Sequence, residues 1–325
     1  MTVATYIEAS RLALAEEMRR DPKVWAVGED LGRGGVFGQY RGLIDEFGPA
    51  RIADAPISEA AIVGAAVGAA MMGTRPVAEM RFSDFALCAI DELVNQAAKA
   101  RYMFGGQTRV PIVVREPIGM WRSSAAQHSQ SLESWYAHIP GLVVVCPSTP
   151  ADNKGLLKSA IRCDDPVVYM EHKGLWPLEG EVPDDPEHLV PFGVAKAVRE
   201  GRDLTIVSWS AQVHVCAKAA ETLAAAGVEV ELIDLRTLWP WDKAAVLASV
   251  EKTGRLLVVQ EAVSVAGFGA EIAATVAENL HRALKTGVRR LGAPRVPVPY
   301  APSLETSLRV AESQVVETAQ AMMKT

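Results

Sequence analysis

Unbroken apolar runs set between helix-like stretches constrain this chain more than any other feature of it. Val110-Pro111-Ile112-Val113-Val114, Leu142-Val143-Val144-Val145 and Val167-Val168-Tyr169-Met170 lack the polar–apolar alternation of a strand with one wet face. Such runs are expected of parallel strands covered by helices on both sides. Parallel strands need crossover connections, and the intervening segments supply them. Thr5 to Arg20 carries Ile7, Leu14 and Met18 among Glu and Arg, an amphipathic helix. Val24 to Val27 reads as a strand, Ser58 to Gly73 as a helix, Arg75 to Met80 as a strand, and Asp84 to Phe104 as one long helix opened by an N-cap aspartate. Thr149-Pro150 is a cap and first-turn pair for a helix ending near Cys163.

The pattern breaks once. Lys173 to Pro191 holds prolines and acids without periodicity, and the alternation then resumes. Strands are expected at Leu204 to Trp209, Val228 to Leu232, Arg255 to Gln260 and Val288 to Leu291, with helices at Ala211 to Ala226 and Gly269 to Leu284. The expected architecture is α/β: two three-layer domains with mainly parallel sheets, over 1–175 and 192–325, joined by a linker at 176–191.

Composition narrows the functional classes. A net charge of −6 with no Lys/Arg cluster argues against a nucleic-acid groove. No run is long enough to span a membrane, and the first residues lack a signal-peptide layout, so a cytoplasmic location is expected. Cys88, Cys146, Cys163 and Cys216 form no Cys-x-x-Cys pair and read as buried apolar fillers in a reducing compartment.

The most informative single residue is Glu59. From Ala60 to Thr74 nothing ionisable follows it, and Gly64, Gly68 and Gly73 punctuate a run of Ala, Val, Ile and Met. A carboxyl group entering apolar surroundings loses hydration and is expected to hold its proton to higher pH. The plainer reading is a helix-start acid favoured by the macrodipole, with Ser58 as N-cap. The helix has no polar face and is expected to be buried all round, its Gly64-x-x-x-Gly68 spacing suiting a core or a subunit interface.

Several strings occur in one order. They are Gly28-Glu29-Asp30, Gly34-Gly35-Val36-Phe37-Gly38, Pro56-Ile57-Ser58-Glu59, and Glu79-Met80-Arg81-Phe82-Ser83-Asp84-Phe85. Then come Gln127-His128-Ser129-Gln130-Ser131, Pro140-Gly141-Leu142, Pro147-Ser148-Thr149-Pro150-Ala151-Asp152 and Asp234-Leu235-Arg236-Thr237-Leu238. This succession, over essentially the whole chain, closely resembles the beta subunit of the thiamine-diphosphate-dependent 2-oxo acid dehydrogenases, the family of the pyruvate, branched-chain and acetoin complexes.

The resemblance implies a pyrimidine-binding domain followed by a transketolase C-terminal-type domain. It implies assembly as two alpha and two beta chains, with thiamine diphosphate shared between an alpha and a beta chain and magnesium held through the alpha subunit. Decarboxylation of a 2-oxo acid and acyl transfer to lipoyl on an acyltransferase core would follow; the alternatives are acetoin cleavage, or an assembly subunit that mainly docks the core. By resemblance, Glu59 hydrogen-bonds N1′ of the aminopyrimidine and drives its amino group towards the imino form. His128, in a polar loop, faces the thiazolium and assists acyl transfer, while His138, His172, His188, His214 and His281 match no such role. Ile57, Phe85 and Tyr102 match positions packed around the pyrimidine ring.

Two departures stand out. Arg81 occupies a position where the family commonly carries glutamine; a permanent cation there either lowers the pKa of Glu59 or points to an acidic partner. Gly119-Met120-Trp121-Arg122-Ser123-Ser124 replaces a loop of smaller residues before the histidine. Backbone carbonyls at Ile112, Ala160, Ile161, Cys163 and Asp165 match a potassium site of relatives, oxygen ligands being suited to a hard cation; a plain helix C-terminus is the other reading. No Gly-Asp-Gly with a downstream Asn, the usual diphosphate–magnesium motif of thiamine enzymes, and no Walker loop occur, and Gly267-Phe268-Gly269-Ala270 is too short for a dinucleotide fingerprint. The chain is expected to supply half a cofactor site.

Overall fold

A computed structural model describes residues 1–324. The chain divides into two compact units, one of residues 1–118 and 135–192, the other of residues 119–134 and 193–325. The first unit opens with β1 (Thr2–Thr5) and α1 (Tyr6–Arg20). Thr5 caps α1 reciprocally with Glu8: the Glu8 amide donates to the Thr5 hydroxyl, and the Thr5 amide to the Glu8 carboxylate at 2.9 Å. There follow β2 (Val24–Gly28), α2 (Leu43–Phe47), β3 (Ile52–Asp54), α3 (Glu59–Met71) and β4 (Arg75–Glu79). After α4 (Ser83–Ala86) and α5 (Ala98–Met103), β5 (Val113–Ile118) ends the first stretch. The short α6 (Glu133–Ala137) brings the chain back, and β6 (Val143–Val145), α7 (Pro150–Arg162), β7 (Val167–His172) and β8 (Glu179–Val182) complete the unit.

Strands β6, β7, β5, β4, β2 and β3 pair in that order, every pair parallel. Leu14 and Met18 of α1 and Leu156 of α7 pack with Val24, Val77 and Tyr169 from the strands, all fully buried or nearly so. Each such aliphatic side chain contributes about 1.5–3 kcal/mol on burial. The runs at 110–114 and 167–170 therefore feed central strands, as their pattern demanded.

The second unit contains β9 (Lys196–Arg199), β10 (Leu204–Ser208), α8 (Gln212–Ala225), β11 (Val230–Asp234), β12 (Thr237–Trp239), α9 (Lys243–Thr253), β13 (Leu256–Val263), α10 (Phe268–Leu280), β14 (Arg289–Ala293), α11 (Pro302–Leu308) and α12 (Glu312–Met323). Its five-stranded sheet runs β14–β13–β10–β11–β9, parallel except for β9 at one edge. Ile206, Leu223, Leu232, Val259 and Val315 centre its core.

Five expectations are corrected. Residues 176–191 are not a free linker: β8 pairs antiparallel with β1, and the Val190 amide donates to the Gly155 carbonyl of α7. Residues 119–134, expected in the first domain, cluster with the second unit. The expected helix from Asp84 to Phe104 is broken into α4, a 3₁₀ turn at Leu87–Ala89, a π turn at Glu92–Ala97 and α5, and Phe82 rather than Asp84 is its N-cap. Ser83, the first residue of α4, donates to Glu116 of β5, which ties this first turn to the sheet, and the break follows Ala86. Helix α3 is not buried all round; Ile62, Val63, Ala66 and Val67 are covered, but Ala61, Ala65, Gly68 and Met72 lie open along one stripe. Lastly, Cys88 is exposed rather than a core filler.

Candidate functional site

The C-terminal ends of β2, β4 and β5 gather the chemistry of the first unit, as open parallel sheets do. Helix α3 starts close by, with Glu59 as its first residue and half-buried. Ser58 precedes it with φ −168° and ψ 74° and makes no side-chain cap, so the expected Ser58 cap is absent and the Glu59 carboxyl lies at an uncapped helix start. Ile57 beside it is 78% exposed, a large apolar side chain left without a cover.

Arg81 settles against acids, not against Glu59. Its Nε stands 3.0 Å from Glu29, and a second guanidinium nitrogen forms a short bond to Asp30. Burial pushes the Glu29 carboxyl upward, the Arg81 charge opposes this, and the Glu59 and Asp30 charges add to the rise. Two carboxylates thus share one guanidinium, and the charge of a third, Glu59, is felt at Glu29. Gly28, just before them, is there because a Cβ would come within 2.8 Å of the Glu79 carbonyl oxygen on β4.

Phe85 lies half-buried in α4 and meets Phe82 edge-on, ring centroids 5.5 Å apart. Phe82 in turn contacts Phe37 at 5.9 Å, and Phe37 packs on Trp176 at 4.2 Å. The glycine-rich loop is held by polar groups behind it. The Phe37 amide donates to the Gln39 side chain at 2.9 Å, and Gln39 donates to buried Glu79 at 3.2 Å. Tyr40 also donates to Glu79, at 2.9 Å. Gly32 donates its amide to Asp54 at 2.8 Å. Glycines in this loop accommodate positive φ at 34, 35 and 38.

Beneath α4, Glu116 of β5 is fully buried and accepts from the Ser83 hydroxyl at 2.9 Å. Burial pushes its pKa up to about 8, with the Ser83 and Tyr136 hydroxyls opposing the rise and the Asp84 charge adding to it. Sequence patterning could not single out Glu116, Glu29 or Phe82, because their roles come from neighbours distant in the chain. The one available signal was Glu116 itself, a carboxylate next to an unbroken apolar run.

The remaining expected residues fall elsewhere. Tyr102 is near the end of α5 and 88% exposed. His128 lies half-buried in the 119–134 segment of the second unit. The carbonyls expected around potassium already receive protein donors: Arg75 donates to Ile161 at 3.1 Å and to Cys163 at 2.9 Å, Val167 to Ile112, and the Cys163 amide to Ala160. The Asp165 carboxylate pairs with Arg101. Each of these carbonyls keeps a second lone pair.

Among the described residues, no group of three or more His, Cys, Asp or Glu side chains could hold a metal, and no helix is long and apolar enough to cross a membrane. The groups present do suit an aminopyrimidine: a carboxyl at a helix head, an uncovered isoleucine and an edge-stacked phenylalanine.

Comparison with known proteins identifies the family. Residues 3–179 match the family model of the transketolase pyrimidine binding domain, and residues 193–315 match that of the transketolase C-terminal domain. The acetoin:2,6-dichlorophenolindophenol oxidoreductase subunit beta of Cupriavidus necator is 47% identical over 96% of this chain and 95% of its own length. The 2-oxoisovalerate dehydrogenase subunit beta of Bacillus subtilis is 44% identical over 97% of each chain, and the pyruvate dehydrogenase E1 component subunit beta of Rhizobium meliloti is 43% identical over 99% of this chain and 70% of its own. A solved split-gene transketolase, an inactive beta4 tetramer, shares the fold with a TM-score of 0.78 at 20% identity, covering 98% of both chains. The chain belongs to the transketolase-like, thiamine-diphosphate-dependent family formed by the beta subunits of the pyruvate, branched-chain 2-oxo acid and acetoin dehydrogenases.

Proposed function

We propose that this chain, in the cytoplasm and with an alpha subunit in a tetramer of two alpha and two beta chains, decarboxylates a 2-oxo acid and passes the acyl group to lipoyl on an acyltransferase core. The observation that carries this reading is Glu59 at the uncapped head of an otherwise uncharged helix, beside exposed Ile57. Glu59 hydrogen-bonds N1′ of the aminopyrimidine and holds a proton there. Ile57 and Phe85 fix the ring by apolar and edge contact, with Phe82 and Phe37 supporting Phe85 from behind. Arg81 acts on the pyrimidine end only through Glu29 and Asp30. His128 moves a proton during acyl transfer.

Bound thiamine diphosphate supplies the electron sink for loss of carbon dioxide. The diphosphate and its magnesium belong to the alpha subunit, because this sequence has no Gly-Asp-Gly motif with a downstream Asn. Acetoin stands beside pyruvate and branched-chain 2-oxo acids as a substrate, since an acetoin-oxidising relative reaches 47% identity. The test is co-expression with the alpha chain and a substrate panel read with an artificial electron acceptor. Turnover should need both chains; full turnover by this chain alone overturns the proposal.

A further inference from the structure

Residues 119–130 form a loop closed at its neck, where the Gly119 amide donates to the Gln130 carbonyl at 3.4 Å. His128 stands two positions inside that neck. The crown of the loop is unusual: Arg122, Ser123 and Ala125 have φ of 48°, 58° and 62°, left-handed values uncommon for residues other than glycine. A run of such residues persists only where the surroundings hold it.

Three side chains from much later in the chain do so. Glu305 of α11 is buried and accepts from the Ser123 amide at 2.7 Å. Arg309 pairs with the other Glu305 oxygen and also donates to the Met120 carbonyl at 2.7 Å. Glu261 of β13 accepts from the Met120 amide at 2.7 Å. Within the crown, the Ser124 hydroxyl donates to the Trp121 carbonyl at 2.6 Å, and the Arg122 guanidinium lies over the Trp121 ring at 4.7 Å. The backbone of Met120 is thus gripped at both its polar atoms, and Ser123 at its amide.

We propose that Glu305, locked by Arg309, is a positioning residue for His128. Its carboxylate keeps the crown in its left-handed conformation, and the closed neck transmits that constraint to the histidine. Glu305 itself touches no reacting atom. The proposal rests on the role given to His128 above, and it adds a residue whose sequence surroundings give no hint of the site.

The test uses the assembled alpha–beta enzyme and two variants, Glu305→Ala and Glu305→Gln. Hydrogen exchange of the amides in 119–130 is read first, independently of activity. Glu305→Ala should speed exchange there about tenfold or more, while the strands of the β10–β13 sheet stay protected. It should also lower the lipoyl-linked kcat about tenfold with the dye-linked rate unchanged, the scale of a displaced catalytic group. Glu305→Gln keeps an oxygen for the Ser123 amide and should recover part of both. In a His128→Ala background, Glu305→Ala should cause no further loss of lipoyl rate. Unchanged exchange, equal loss in both rates, or a fully additive loss with His128→Ala each overturn the proposal. If His128→Ala alone leaves the lipoyl rate intact, the role of the histidine fails first, and the exchange data still decide whether Glu305 anchors the loop. Should Glu305→Ala not fold, Arg309→Met, which spares the carboxylate, carries the same expectations.

Discussion

The Ser83 hydroxyl donates to Glu116 at 2.9 Å inside the first unit, so a carboxyl group with no exposure anchors the turn that carries Phe85. Glu116 keeps its proton up to about pH 8 in the folded chain, against an ordinary value of 4.5. The folded state therefore binds a proton that the unfolded state releases between those values. The stabilisation is complete below the unfolded pKa and is lost as pH rises through the folded one. Glu116→Gln, neutral throughout, should gain on the wild type by roughly 1.4 kcal/mol for each pH unit across that window. Denaturant midpoints of both proteins at acidic, neutral and mildly alkaline pH measure it. A difference that does not vary with pH would show that Glu116 is charged in the fold.

Glu59→Gln should lower activity of the assembled enzyme on the order of 10²-fold or more while leaving the melting temperature nearly unchanged. The amide retains a hydrogen bond to the ring but cannot supply a proton. Rates near wild type would reduce Glu59 to a helix-start residue.

Arg81→Gln removes the one cation shared by Glu29 and Asp30. The lowering influence on Glu29 disappears, so its carboxyl should hold a proton to higher pH than in the wild type. Carboxyl titration followed by NMR, or the acid limb of the pH–rate profile, reads the direction. A downward movement is incompatible with the pairing described.

Arg75→Met takes away the donor to the Ile161 and Cys163 carbonyls and one partner of Asp164. Hydrogen bonds to a charged group contribute about 1.5–3 kcal/mol, and a loss of that order is expected. Adding potassium at constant ionic strength should raise the melting temperature of the variant more than that of the wild type, because two oxygens become available to a cation. Equal responses would mean the guanidinium and the ion do not share those carbonyls.

What the sequence disclosed was what depends on local pattern. The runs at Val113 and Val167 are legible as covered strands because no half-exposed strand tolerates such composition, and Thr149-Pro150 marks the start of α7 because its side chain and ring act within one turn. Glu59 was legible by its isolation in an apolar run. The pairing of Arg81 with Glu29 and Asp30 was not, since it joins the connection after β4 to the turn after β2, 51 positions apart, through side chains alone. The break after Ala86 was hidden for a similar reason: the periodicity from Asp84 onward reads as helix, while the bond from Ser83 to Glu116 lies outside it. The 119–134 segment reads as polar loop, and nothing within it names Glu305 or Arg309 as its partners.

The grip of Glu305 and Arg309 on Met120 and Ser123 spans more than 180 positions of chain. During synthesis, elements fold in the order in which they leave the ribosome. The parallel strands of the first unit are complete once residue 172 has emerged, yet the crown near His128 waits for α11, which begins only at Pro302. A nascent or shortened chain lacking α11 would hold the sheet and helix that carry Glu59 without a fixed loop around His128. The anchor thus works as a checkpoint, coupling the conformation around His128 to the arrival of α11.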